Sequence, residues 1–144
     1  MNMIEETLCL LKPDLVRRYS SEDILEEIKK RCEHIKGFKL HSIKRLTLSP
    51  AQVRKFYAEH TEKPFFKDLV EFMISGPIVA FIMNGENIIS EYRSILGATN
   101  PIDAEKGTLR NKYGLSLDEN SFHASDSVKA SESEIALYEE GLKG

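Results

Sequence analysis

Seven consecutive residues, Asn120-Ser121-Phe122-His123-Ala124-Ser125-Asp126, gather side chains suited to nucleophilic chemistry. A neutral imidazole is a competent nucleophile near neutral pH. His123 lies between an apolar run and Ser125-Asp126-Ser127, a cluster of the kind that caps a helix start, and helix starts favour anions. The pattern therefore points to a phosphate beside His123, with the helix start disfavouring the imidazolium and favouring an anionic phosphorylated product. A strand-end histidine followed by ordinary capping residues reads the same way, so the stretch alone leaves both open.

Any anion held there must be gripped by side chains. No two glycines are separated by a single residue and no Gly-Lys-Ser/Thr phosphate loop occurs, so neither glycine-rich cradle is available. The formal charge of -3 from 20 Lys and Arg against 23 Asp and Glu gives no global pull toward nucleic acid or an anionic membrane. His34, His41, His60 and His123 lack zinc-ligand spacing, and Cys9 and Cys32 are too few for a disulfide framework or a cysteine zinc site. Glu5 and Glu6 stand where a leader peptide would be basic, and the longest apolar run, Ile78 to Met83, is far too short to span a membrane. A cytosolic protein without a membrane segment is expected.

The elements that must position these groups can be read from the 144 residues, which show no repeat or linker and are taken as one domain, 1–144. An apolar run at Thr7 to Leu11 reads as a strand stopped by Pro13, which drives Lys12 to extended backbone and leaves it at the strand end. Ser20 and Ser21 open an amphipathic helix that runs toward Gly37. Phe38 to Leu48 alternates with a phase change at Ile43, a strand with a bulge. Ser49-Pro50-Ala51-Gln52 forms a capping box for a helix carrying Val53, Phe56 and Tyr57. A second helix spans about Pro64 to Ser75, a central strand Ile78 to Met83, and a further helix Glu86 to Leu96. Gly97 to Glu119 has four Gly or Pro, three basic residues and no clear period, so it reads as one long loop before a short strand at Asn120 to His123 and a last helix. The order βαβααβα-loop-βα predicts an α+β, ferredoxin-like split βαβ: a four-stranded antiparallel sheet with helices packed on one face.

The stretch around His123 resembles the active-site signature of the nucleoside diphosphate kinases, in which the histidine is followed by Gly or Ala, then Ser and Asp. The likeness extends in order through Lys12-Pro13-Asp14, Lys63-Pro64-Phe65-Phe66, Ser75-Gly76-Pro77, Gly97-Ala98-Thr99-Asn100-Pro101 and Gly107-Thr108-Leu109-Arg110. It implies a ferredoxin-like fold, a homo-oligomer of four or six copies, and Mg2+-dependent transfer of the terminal phosphate of a nucleoside triphosphate, typically ATP, to a nucleoside diphosphate through a phosphohistidine. Residue by residue, it implies that His123 is the nucleophile and that Ser125 and Glu134 hold its ring. It implies phosphate ligands at Arg93, Thr99 and Arg110, and groups reaching ribose and phosphates at Lys12 and Asn120. Tyr57 and His60 would lie along the phosphate path, Phe65 and Leu69 would meet the base, and Leu117 would form the opposite wall. No metal ligand of the protein's own is implied, the magnesium arriving on the nucleotide.

Two features depart from the family pattern. Leu15 follows Lys-Pro-Asp where a small residue is common, and the stretch Arg17 to Gly37 is a few residues longer. A nucleotide-sensing or single-strand-binding module without chemistry is the competing class; it would keep Phe65, Arg93 and Arg110 but dispense with His123.

Overall fold

β1 (Ile4–Leu11) ends where the proline requires it: Lys12 is extended with ψ 164°, and Pro13 occupies the first turn of α1 (Pro13–Arg18). That short helix lies where the sequence shows no period. The computed structural model describes residues 4–142, so the outermost residues of the acidic start, of the tail and of the expected 1–144 domain lie outside it. α2 (Ser21–Cys32) starts on Ser20, whose hydroxyl accepts from the Asp23 amide, and stops at Cys32, short of Gly37. Gly37 instead turns the chain at φ +74°.

Among the described residues β1, β2 (Lys39–Leu46), β3 (Ile78–Glu86) and β4 (Phe122–Ala124) form one antiparallel sheet in the order β2-β3-β1-β4. The bulge expected near Ile43 is present: the β2–β3 register shifts between His41 and Lys44, with Ser42 at φ +58°. α3 (Pro50–Phe56) has the capping box of Ser49 and Gln52, and α4 (Phe66–Met73) and α5 (Ile88–Leu96) follow the expected order.

Helices cover both faces of the sheet rather than one. On β1, Leu8 and Leu10 enter a cluster with Val53, Tyr57, Val70 and Met73, while Cys9 and Leu11 enter a second with Ile28, Ile88 and Tyr92. On β3, Ile78, Ala80 and Ile82 join the first cluster and Val79, Phe81 and Met83 the second. Strands buried on both faces must be apolar at every position, which is why these runs do not alternate. Each such leucine or isoleucine contributes on the order of 1.5–3 kcal/mol by leaving water. Leu15 is fully buried in the second cluster, so the large residue after Lys-Pro-Asp is used as core.

The long loop is not structureless. Thr108 caps α6 (Leu109–Tyr113), its hydroxyl accepting from the Asn111 amide, and Leu109 and Tyr113 pack into the second cluster. Five residues are too few to reveal a helical period. α7 (Val128–Leu137) then starts on Ser127, whose hydroxyl accepts from the Ala130 amide.

Candidate active site

β4 is an edge strand, and its register decides where the imidazole goes. Leu10 pairs with His123, so His123 shares the face of Leu10 and lies under α3, whereas Phe122 and Ala124 pack toward α5. The carbonyls of Phe122 and Ala124 are taken by two arginines: Arg110 Nη2 donates to Phe122 at 2.8 Å and Arg93 Nη1 to Ala124 at 3.4 Å. The edge is thereby covered by cations on either side of the histidine.

The ring is held at one nitrogen. His123 Nε2 lies 2.8 Å from Glu134 Oε1, and because a carboxylate only accepts, Nε2 carries the hydrogen and Nδ1 the lone pair. Nδ1 has no partner among the described residues. Ser125 Oγ donates to the same Glu134 oxygen at 2.8 Å and accepts from the Leu8 amide at 3.1 Å. Ser125 thus acts on the carboxylate and does not touch the imidazole. The ring's hydrogen-bond partner on α7 is not at the helix start: Glu134 lies seven residues beyond the cap Ser127, two turns into the helix. Phe56 and Tyr57 meet the ring edge to face at centroid distances of 5.2 and 6.3 Å.

Around this ring lies a cavity of about 300 Å³ that brings together Lys12, Tyr57, His60, Arg93, Thr99, Arg110, Asn120, His123 and Glu134. Lys12 Nζ donates to Asn120 Oδ1 at 2.9 Å. Burial, reinforced by the nearby Arg110 guanidinium, lowers the Lys12 ammonium to about 8. Burial likewise lowers Arg110 to about 10. Burial pushes the Tyr57 phenol up, so it remains a neutral donor, and its hydroxyl has no protein partner. Lys12, Arg93 and Arg110 form no ion pair with a carboxylate among the described residues. Three gathered cations, none of them ion-paired although Glu59, Asp126 and Glu134 line the same cavity, can grip a polyanion.

Four sequence-derived residues stand apart from the lining. Phe65 is 45% exposed at the rim, its ring 5.8 Å from that of His60. Leu69 packs against the first core cluster, Leu117 is exposed, and Ser125 is buried behind Glu134. Asp126, from the stretch around His123, lines the cavity, and so do Phe56 and Glu59, which were not singled out as site residues. Phe56 offered no signal of its own, because it reads as part of the apolar helix face it shares with Val53 and Tyr57.

The sequence profile of the nucleoside diphosphate kinases matches residues 5–140. The chain is 47% identical over 135 residues to a nucleoside diphosphate kinase of Persephonella marina, spanning 94% of this chain and 93% of that one. The chain belongs to the nucleoside diphosphate kinase family. A second relative, from Haemophilus ducreyi, is 47% identical over 136 residues, with 94% and 95% of the two chains covered. The Aquifex aeolicus nucleoside diphosphate kinase superposes with a TM-score of 0.87 at 35% identity, over 98% of this chain and 99% of that one. The Halobacterium salinarum nucleoside diphosphate kinase in complex with CDP gives 0.87 and 35%, over 98% and 91%. These likenesses make the chain an enzyme of this family with its ferredoxin-like sheet. No helix among the described residues is long and apolar enough to cross a membrane.

Proposed function

We propose that the enzyme transfers the terminal phosphate of a nucleoside triphosphate, typically ATP, to a nucleoside diphosphate in two steps through a phosphohistidine at His123. The observation that carries this is the unpartnered Nδ1 of His123 in a cavity lined by Lys12, Arg93 and Arg110, none of which is ion-paired to a carboxylate. In the first step the Nδ1 lone pair attacks the terminal phosphorus, the N–P bond forms, and the P–O bond to the diphosphate breaks with its electrons leaving on the diphosphate. The ring then carries positive charge, which Glu134 offsets through Nε2–H. In the second step a terminal oxygen of the acceptor diphosphate attacks the same phosphorus and Nδ1 leaves with its pair. Lys12, Arg93 and Arg110 hold charge on the phosphate oxygens throughout, with Thr99 and Tyr57 as neutral donors. Asn120 and Lys12 reach toward the ribose, and His60 lies along the phosphate path.

Mg2+ fits this reading as a passenger of the nucleotide. No cluster of three or more His, Cys, Asp or Glu able to hold a metal occurs among the described residues, and the cavity's carboxylates, Glu59, Asp126 and Glu134, are accompanied by Lys12, Arg93 and Arg110. The ion would be held by phosphates and water, with Asp126, exposed and unpaired on the cavity wall, as the available carboxylate; it would add positive charge to the phosphates. The half-exposed Phe65 offers a face on which any base stacks, and Leu69 and Leu117 are proposed as the base's further apolar neighbours, so broad base selectivity is part of the proposal. So are an assembly of four or six copies, the single domain 1–144 and a cytosolic setting, the last in keeping with two free, buried cysteines.

The test is brief incubation with γ-labelled triphosphate without acceptor. One acid-labile, alkali-stable phosphate per chain should appear, be discharged by a diphosphate, and be absent in His123→Ala. Absence of label in the unsubstituted enzyme would sink the two-step mechanism and favour a binding module.

A further inference from the structure

We propose that Glu27 and Arg31 on α2 are positioning residues that clamp both ends of α6 and thereby aim the Arg110 guanidinium at the phosphates. The inference rests on the role given to Arg110 above. Neither residue lines the cavity.

α6 is five residues long, below the length at which a helix holds its own shape, yet it carries Arg110. Leu109 and Tyr113 bury one side of it, which fixes its distance from the core but leaves its pitch and rotation to polar contacts. Arg18 Nη2 and Ser121 Oγ donate to the Tyr113 carbonyl at 2.7 and 3.3 Å, and the contacts that reach both ends of the helix come from two side chains one turn apart on α2. Ahead of the helix, Arg31 Nη1 donates to the Gly107 carbonyl at 2.6 Å. At its end, the Glu27 carboxylate accepts from Lys112 Nζ at 3.1 and 3.2 Å and from the Tyr113 hydroxyl at 2.5 Å. Arg31 also locks Glu27, donating from Nε at 3.2 Å and from Nη2 at 2.8 Å, so the clamp is one connected unit. Burial would raise the Glu27 pKa, but the hydrogen bonds from Tyr113, Lys112 and Arg31 outweigh it and keep the group anionic.

The clamped helix delivers Arg110 to two fixed carbonyls, Gly97 at 3.2 Å and Phe122 at 2.8 Å, the second belonging to the residue before His123. A shift of about 1 Å in such a group can cost on the order of a hundredfold in rate. Releasing either end of α6 therefore acts on phosphate transfer through Arg110.

The experiment is a double-mutant cycle on kcat/KM for phosphorylation of the full chain by a nucleoside triphosphate, using Glu27→Gln, Arg110→Ala and the pair. Glu27→Gln should lower kcat/KM about tenfold, the worth of one charge-assisted hydrogen bond, and by less than about twofold once Arg110 is alanine. Tyr113→Phe, which removes one donor and keeps the ring, should show a smaller loss with the same disappearance, and serves if Glu27→Gln does not fold. An equal loss with and without Arg110, or no loss from Glu27→Gln, overturns the clamp while leaving the phosphohistidine reading intact. No loss from Arg110→Ala alone overturns both Arg110's role and the clamp.

Discussion

If Lys12 holds phosphate as proposed, it should set an upper pH limit on nucleotide capture. Lys12 is 8% exposed, and its ammonium is near Arg110 and has Asn120 as its hydrogen-bond partner, with Asp14 too weakly coupled to restore its ordinary basicity. With a value of about 8 in the free enzyme, the charged fraction falls from roughly nine-tenths at pH 7 to one-tenth at pH 9. If the cation is required to hold phosphate, kcat/KM for nucleotide should fall about tenfold across that interval, because this ratio reports the free enzyme's groups. Nucleotide phosphate would restore the charge, so binding near pH 8 should take up about half a proton. Titration calorimetry in two buffers of different ionisation heat measures that uptake. Lys12→Arg, charged throughout the range, should abolish both the uptake and the limb. Stability should move the other way: the unfolded chain binds more protons than the folded one between about 8 and the ordinary lysine range, so unfolding becomes harder as pH rises there. A flat kcat/KM to pH 9, or a limb that survives Lys12→Arg, refutes the reasoning.

Phe65→Ala should separate function from folding: at 45% exposure the ring adds little stability, but losing a stacked base worth about 1–3 kcal/mol should raise the nucleotide KM about five- to a hundredfold, read by steady-state kinetics beside thermal melts. An unchanged KM would remove Phe65 from the site. Gly97→Ala should destabilise the fold by about 1–3 kcal/mol, since Gly97 stands at φ +84° and a Cβ there would lie 2.5 Å from Thr108 Oγ1. Because the Gly97 carbonyl also receives Arg110, phosphorylation by triphosphate should slow too. Wild-type denaturant midpoints would contradict this.

Local signals carried much of the fold. Pro13 stopping β1, the Ser49–Gln52 box and the Ile43 phase change each act within a few residues and could be read directly. The second covered face was also written in the chain, in the unbroken apolar runs Leu8 to Leu11 and Ile78 to Met83, but an expectation of helices on one side overrode it. What was not legible acts through space. Glu27 meets Lys112 and Tyr113 across 85 and 86 residues, and no local period announces a five-residue helix. The same limit explains the site: His123, Lys12, Arg93 and Arg110 stood out by type and motif, whereas Phe56 was absorbed into the face of its own helix.

The most consequential difference concerns the imidazole itself. Proximity in sequence set His123 beside the capped start of α7, which would oppose positive charge on the ring. In the folded chain the β1–β4 register carries the ring to Glu134, and the Leu8 amide, Ser125 hydroxyl and Glu134 carboxylate fix it from behind. The two environments demand opposite electrostatics. An imidazole gains positive charge when Nδ1 bonds to phosphorus, so a helix start would raise the barrier at the moment the bond forms. In the proposed transfer a carboxylate on the far nitrogen would lower it, while Lys12, Arg93 and Arg110 in the same cavity would hold the negative charge of the phosphates.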